Sequence, residues 1–442
     1  MRWILSVDRF VCRRSLVGAL AVLVVVTACT SSTSNSTSNN SPLVVGVLAP
    51  YTGQDAAFGL AMYAGCVPAV RAINAAGGVM GHQLSCKEFD TRGDPADAIP
   101  ATRQMIASTP NLLFVLGCTS DEASSVVPIL EQNHIPSFCV TGESQFNKND
   151  NKYFYRMVPP DQYEAYAMVA IARNYDKFSR VALVFGNDIG SQTFVGPATA
   201  AVKATGGTVV INQAIALGQP SYRTEVEQLL NAKPDVILTE AIGSTDATYL
   251  AELKQLNHGV MLPVIGSSAT IDPVWFKAVT DAIGLPDVLQ YFQADDIPTN
   301  YSGPGYQEFK TNLLASTAEF AAAASYAVKD STIHLYDGAV MAALAADSAN
   351  SIDPKIFNSW IVKVGNGIPG ATEVNTYADG VQALKSGKTV RFIGAGCPTH
   401  FSQYQNSECG YIVAKYAANG DEQTVAPITQ AQMDQLIQEA GA

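Results

Sequence analysis

Histidine is scarce in this 442-residue chain: there are five, His82, His134, His258, His334 and His400, scattered through it and mostly in turn-like contexts. Surface or capping roles are their default. No His-Glu-x-x-His pair, Gly-x-Ser-x-Gly elbow or phosphate-cradling Walker loop occurs, so the usual signs of a zinc hydrolase, a serine hydrolase and a nucleotide hydrolase are missing. Catalysis needs a nucleophile, a base and an orienting group brought together, and no such set is legible. Neither Cys-x-x-Cys nor a Cys/His cluster is present, which argues against a metal site; no cofactor and no metal are expected. Basic residues are also in deficit, 27 Lys and Arg against 39 Asp and Glu. Residues 1–28 hold four of the arginines and one aspartate, so the remainder carries 23 against 38, a formal charge of −15. A body this acidic repels phosphate backbones, and nucleic acid is excluded as a partner. Past the first thirty residues no apolar run approaches the ~20 residues that a membrane span requires.

The N-terminus carries its own signals. Arg2, Arg9, Arg13 and Arg14 precede the apolar run Leu16–Val26, and Val26-Thr27-Ala28-Cys29 follows. This is the pattern of a cleaved secretory signal over residues 1–28. The tetrad resembles the bacterial lipobox, which implies that Cys29 is lipidated and that the protein sits on the outer face of the cytoplasmic membrane, held there by its lipid. Arg13-Arg14 leaves the export route open between the general and twin-arginine systems. Residues 29–41 are nearly all Ser, Thr and Asn and have no apolar surface to bury, so they read as a flexible tether. The folded body begins near Leu43, and an apolar content of 48% is enough for a full core in two domains.

That body alternates strand and helix. Apolar runs at Leu43–Leu48, Gln83–Asp90, Leu112–Leu116 and Pro136–Val140 read as strands, with helices at Gly59–Ala75, from Pro95, and at Ala123–Gln132. Val158-Pro159-Pro160 interrupts the rhythm. It restarts with a helix at Asp161–Asn174 and continues through strands at Val181–Phe185, Thr208–Ile215, Val236–Thr239 and Pro263–Gly266. Each helix serves as a crossover, which forces parallel pairing. The expected fold class is α/β: two Rossmann-like lobes with parallel-sheet cores joined by three hinge crossovers. Residues 42–159 and 290–392 form lobe 1, and residues 160–289 and 393–442 form lobe 2 with the C-terminal tail. The second crossing is placed near Val288–Phe292, the third near Val390–Gly396, and Cys397–Lys415 is expected to return to lobe 2.

Eight cysteines fit an exported protein. Cys12 leaves with the signal and Cys29 takes the lipid. The remaining six allow 15 disulfide pairings, and locality in the expected fold suggests Cys66–Cys86, Cys118–Cys139 and Cys397–Cys409. In open α/β sheets, ligands bind beyond the carboxyl ends of the strands. The segments there are Tyr51–Gly59, Cys118–Asp121, Thr141–Glu143, Asn187–Gly190, Glu240–Ser244 and Gly266–Ala269.

Several strings carry a resemblance. Val44-Val45-Gly46-Val47-Leu48-Ala49-Pro50-Tyr51-Thr52-Gly53, then Gly59, is followed by Ile73-Asn74-Ala75-Ala76-Gly77-Gly78-Val79-Met80-Gly81, by Asp90 to Pro95, and late in the chain by Tyr336-Asp337-Gly338-Ala339. In this order and spacing, over residues 42–420, they resemble the branched-chain amino-acid-binding receptors, type I periplasmic binding proteins of ABC transporters. The resemblance implies a monomer that closes two lobes on a small-molecule ligand and delivers it to an ABC transporter permease, or, as an alternative, a receptor that signals to a membrane partner. By matched position it also implies an aromatic wall at Phe58, a ligand-facing hydroxyl at Ser120 or Thr119, and contacts from Thr141, Gly142 and Glu143. On lobe 2 it points to Asp188, Ile189, Glu240 and Ser268. Ser120 and Thr119 are equally placed to cap the helix that follows. One departure stands out. The receptors grip the ligand's ammonium with an acid just after the strand aligned with Val264–Gly266, where this chain has Ser267-Ser268; Glu143, Glu240 or Asp246 is the expected substitute, unless the ligand has no α-amino group.

Overall fold

Residues 41–53 and 55–441 are described by the computed structural model. The signal peptide, Cys29 and all of the tether but Ser41 fall outside them.

The first sheet is built from β1 (Leu43–Ala49), β2 (Leu84–Asp90), β3 (Leu112–Thr119), β4 (Ser137–Val140) and β5 (Phe154–Arg156), in the order β2-β1-β3-β4-β5. All its pairings are parallel. β1 and β3 are covered on both faces, which is why they read as unbroken apolar runs instead of alternating ones. The crossovers are α1 (Ala56–Ala75), α2 (Pro95–Ser108) and α3 (Ser120–Gln132). Local chemistry fixes their starts. The Asp94 carboxylate accepts from the Ala96 and Asp97 N–H groups with Pro95 in the first turn, and Thr119 and Glu122 form a reciprocal capping box on α3.

After the first crossover the chain runs through α4 (Asp161–Val169), β6 (Arg180–Gly186), α5 (Ile189–Gln192), α6 (Val195–Ala204), β7 (Thr208–Ile215), α7 (Arg223–Ala232) and β8 (Val236–Glu240). It continues with α8 (Gly243–Leu256), β9 (Val264–Gly266), α9 (Pro273–Ile283), α10 (Leu285–Tyr291) and β10 (Phe292–Asp296). It then returns to lobe 1 as α11 (Pro304–Ala315), α12 (Asp330–Ala349), α13 (Pro354–Asn366), β11 (Thr372–Val374), α14 (Tyr377–Lys385) and β12 (Val390–Phe392). α12 lies against α1 and α13 and is buried almost all round, as a core helix must be. The chain ends in lobe 2 with β13 (Tyr411–Tyr416), β14 (Glu422–Ile428) and α15 (Gln430–Ala440). The second sheet has the order β14-β13-β10-β9-β8-β6-β7, parallel from β7 to β10 and antiparallel at β13 and β14.

The crossovers are displaced from their expected places. β10 pairs with β9, so the chain leaves the second sheet after Asp296 and not near Val288–Phe292. Residues 397–410 stay on lobe 1: Phe401 sits in its core, the Arg156 N–H donates to the Gln405 carbonyl (3.0 Å) and the Ser407 N–H to the Arg156 carbonyl (3.0 Å). Only from Tyr411 does the chain rejoin lobe 2.

Two of the expected disulfides are present, Cys66–Cys86 and Cys397–Cys409. The third is not: Cys118 and Cys139 are buried free thiols. The register explains it. Leu116 pairs with Phe138 and Thr119 with Val140, and the irregularity between them leaves Cys118 and Cys139 without direct pairing. The Cys139 thiol donates instead to the Gly117 carbonyl, 3.3 Å away. The Cys66–Cys86 bridge ties α1 to β2 across a 20-residue separation. Chain-entropy loss for a loop of that length predicts that the double substitution Cys66→Ala/Cys86→Ala lowers unfolding free energy by about 3 kcal/mol. Urea unfolding of variant and parent measures it, and coincident midpoints would refute it.

Candidate ligand cleft

The carboxyl ends of both sheets face one another across a cleft of about 140 Å³. That is small beside the ~300–1,000 Å³ of drug-sized pockets, and it suits a compact ligand. Lobe 1 contributes Phe58 at the start of α1, Thr119 and Ser120 at the turn into α3, and Gly142 after β4. Lobe 2 contributes Asp188 and Gly190 after β6, Glu240 at the end of β8, and Ser268 with Trp275 after β9. Gly142 is needed for close approach: a Cβ there would lie 1.5 Å from an Asp161 carboxylate oxygen at the first crossover.

The lobes touch over this cleft. Asp121 on α3 accepts from the N–H groups of Ile189 (2.9 Å) and Gly190 (3.3 Å) at the start of α5. On the other side Lys329, just before α12, donates from Nζ to the carbonyls of Ala269 (3.0 Å), Ile271 (3.3 Å) and Ser268 (3.5 Å).

Of the residues singled out from sequence, Phe58, Thr119, Ser120, Gly142, Asp188, Glu240 and Ser268 line the cleft. Thr119 is also the helix cap, and the Ser120 hydroxyl donates to Thr141 Oγ1 (3.2 Å). Thr141, Glu143 and Ile189 do not line it. Thr141 lies beneath Ser120, Glu143 is held by Gln145 (2.7 Å) and Thr141 (3.3 Å), and the Ile189 side chain points outward while its N–H bridges the lobes. Among the three acids offered for the missing ammonium partner, Glu240 alone reaches the cleft. Asp246 is buried behind it, accepting from Trp275 Nε1 (2.8 Å) and Thr239 Oγ1 (3.1 Å). Asp55 and Asp121 fell within the expected rim segments without being singled out, and sequence reasoning passed over Asp161, Glu164 and Lys329. Asp161 and Glu164 did carry a signal: three residues apart at the start of a helix, they share one face just after the Pro159-Pro160 break.

The Periplasmic binding protein family pattern matches residues 42–395. This chain belongs to that family. It is 23% identical over 339 residues to the Leu/Ile/Val-binding protein BraC3 of Rhizobium johnstonii, covering 76% of this chain and 88% of that one. Among solved structures it is similar to the branched-chain amino acid transporter substrate-binding protein LivJ of Streptococcus pneumoniae in complex with isoleucine, with a TM-score of 0.69, 15% identity, and 88% and 99% of the two chains covered. It is also similar to an R. palustris ABC-transporter solute-binding protein in complex with benzoate, with a TM-score of 0.68, 16% identity, and 87% and 96% covered. As a periplasmic binding protein the chain captures a ligand and does not transform it. A Gly-x-Gly-x-x-Gly string, Gly365–Gly370, closes α13 and does not open a helix after a strand, so it is no dinucleotide fingerprint.

The cleft of this periplasmic binding protein is charged unevenly. Asp55, Asp121 and Asp188 meet at its mouth, where burial, then the Asp121 and Asp188 charges, push the Asp55 carboxyl up to about 7. Burial also raises Asp121, with Asp188 adding to it. Deeper, burial lifts Asp161 to about 7 against the lowering pull of Thr193 and Arg156. Burial and the Asp161 charge lift Glu164 to about 8, and burial holds Glu240 well above the usual carboxylate range.

Proposed function

We propose that this chain is the lipid-anchored solute-binding component of an ABC importer, taking a small polar ligand into the interlobe cleft by hinge closure and presenting the closed form to a permease. The contacts that carry this reading are those of Asp121 and Lys329. Both join groups from opposite lobes over the cleft, so they exist only when it is shut. A ligand bridging the same two rims gains more from the closed form than from the open one, and that difference drives closure. Similar solved structures hold isoleucine, benzoate or 4-hydroxybenzoate, which supports a ligand of that size. The lipobox-like tetrad supports anchoring through Cys29 outside the cytoplasmic membrane.

The test is thermal melting of the purified protein against amino acids, amides, carboxylates, amines and sugars. A true ligand at a hundredfold excess over its Kd stabilises the folded form by about 2.7 kcal/mol and raises the midpoint. A flat response to every class would end the solute-binding reading.

Closure itself has a pH dependence. On opening, Asp55 regains water and loses the Asp188 charge of lobe 2, while Asp121 of its own lobe stays beside it, so its carboxyl falls toward the ordinary ~3.9; closed, burial first and then these charges raise it to about 7. A carboxyl raised in the closed form favours that form when protonated. Its contribution is full below about 4 and lost as pH rises through about 7. Ligand-free protein is therefore expected to be more compact at pH 5 than at pH 8 by small-angle scattering. Asp55→Asn should shrink the difference, and an unchanged difference would show that Asp55 is not the cause.

A further inference from the structure

The solute-binding reading leaves the ligand's charge open, and the cleft's chemistry narrows it. Eight carboxyl side chains line the cleft against one basic side chain, that of Lys329. The Lys329 ammonium is already spent on three carbonyls of lobe 2, with Asp272 Oδ2 4.0 Å away. No basic group in the lining is left to receive a carboxylate, and one placed near Ser120 would meet Asp55, Asp121 and Asp188.

Most of the acids are engaged. Asp121 bridges to lobe 2, Asp188 caps α5, Asp272 caps α9, and Asp161 accepts from Thr193. Glu164 and Glu240 keep acceptor capacity to spare, each meeting a single serine hydroxyl, of Ser268 and Ser267. Glu164 is buried to 6% exposure, and its Oε1 has no hydrogen-bond partner although the residue lines the cleft. Glu240 accepts only from Ser267 Oγ. Behind them both carboxylate oxygens of Asp295 are buried and unpartnered. Leaving buried acceptors unmade is costly, and burying like charges together costs more unless a counter-charge arrives.

We infer that the cleft is built for an organic cation whose ammonium or guanidinium group is received by Glu164 and Glu240. A metal ion fits less well. Among the described residues, the group of acid, histidine or cysteine side chains with ligand atoms within 4.8 Å of one another is His334, Cys397 and Cys409, none of which lines the cleft. The cleft acids are strung along the cavity and do not converge on a point. Phe58, Val274 and Trp275 supply apolar and aromatic walls, and aromatic faces attract cations. A cation also resolves the repulsion that opposes closure at neutral pH.

The pH response is specific. Glu164 faces Asp161 on its own helix, Lys329 and Asp330 before and at the start of α12, Glu240 at the end of β8, Asp295 on β10 and Tyr411 on β13. Its carboxyl, raised to about 8 in the empty cleft, must ionise to hold a cation. Binding then releases that proton, so affinity rises with pH up to about 8, by at most about tenfold per pH unit.

Titration calorimetry on the purified full-length protein at pH 8 decides the matter, with putrescine, agmatine and arginine set against leucine, benzoate and acetamide. At least one of the three cations is expected to bind at least about tenfold tighter than each of the others. Glu164→Gln, shown by circular dichroism to be folded, should weaken that cation about tenfold or more and flatten its pH profile between 6 and 7.5. Glu240→Gln is the second variant, should the first misfold. Preference for leucine, benzoate or acetamide overturns the inference and leaves the solute-binding reading intact. Silence from all three cations overturns it as well, and the wider melting panel then decides separately whether anything binds. Unaltered cation affinity in both variants would remove the glutamates from the account.

Discussion

Replacing Lys329 with methionine is expected to shift the closed-to-open ratio toward open by roughly a hundredfold. The side chain is 1% exposed, and its ammonium donates to the carbonyls of Ser268, Ala269 and Ile271 across the lobe boundary. Methionine keeps an unbranched apolar stem one atom shorter and removes the charge. In the closed form those carbonyls lose a charged donor, worth ~1.5–3 kcal/mol per bond. In the open form water takes its place. The net penalty therefore falls on closure, and about 3 kcal/mol corresponds to a hundredfold change in population. Spin labels on the outer faces of α2 and α7 would report it as a longer mean distance in the variant. An unchanged distance distribution would mean that Lys329 serves lobe 1 alone.

The variant Arg156→Met should cost about 3–5 kcal/mol of folding stability. Arg156 is fully buried. Its guanidinium donates to Asn147 Oδ1 (2.8 Å) and to the Glu143 carbonyl (2.7 Å), and its backbone holds the 397–410 segment through Gln405 and Ser407. Burial lowers its pKa to about 10, so the group stays charged at neutral pH, supported by Asp161 and Glu143. Removing it leaves those acids facing an uncharged side chain in a dry environment. Arg156→Lys keeps the charge but loses the planar fork, and an intermediate loss is expected. The urea midpoints of the three proteins should rank Arg, Lys, Met; a methionine variant as stable as the parent would show that the acids had found other partners.

The lobes and their parallel sheets were legible because strands such as β1 and β3, covered on both sides, announce themselves as apolar runs, and because α2 and α3 begin at unmistakable caps. The crossings were less so. β5 has three residues and no pattern, and β10 lies so close after α10 that nothing in its sequence says which sheet it joins. The 397–410 segment is fixed to lobe 1 by backbone bonds to Arg156, which no side-chain pattern reveals. Cys118 and Cys139 show the limit of locality: neighbouring strands placed them together, and an irregular register kept them from pairing. In the cleft, residues next to strand ends could be named from sequence. Lys329 could not, since it enters from a helix sixty residues beyond its partners, and Glu164 sits on a crossover helix and not at a strand end.

The last two strands have a consequence for assembly. β13 enters the second sheet beside β10, and β14 covers the edge of β13, so until the segment from Tyr411 on is available, β10 presents unpaired N–H and C=O groups along one side. Such an edge is a template for wrong pairing. Both lobes wait for long-range contacts, α1 on α12 in lobe 1 and β10 on β13 in lobe 2, a slow class of folding event. A chain that has formed β10 but not yet added β13 is thus in its most aggregation-prone interval, and any quality control acting on this protein has that interval to act in.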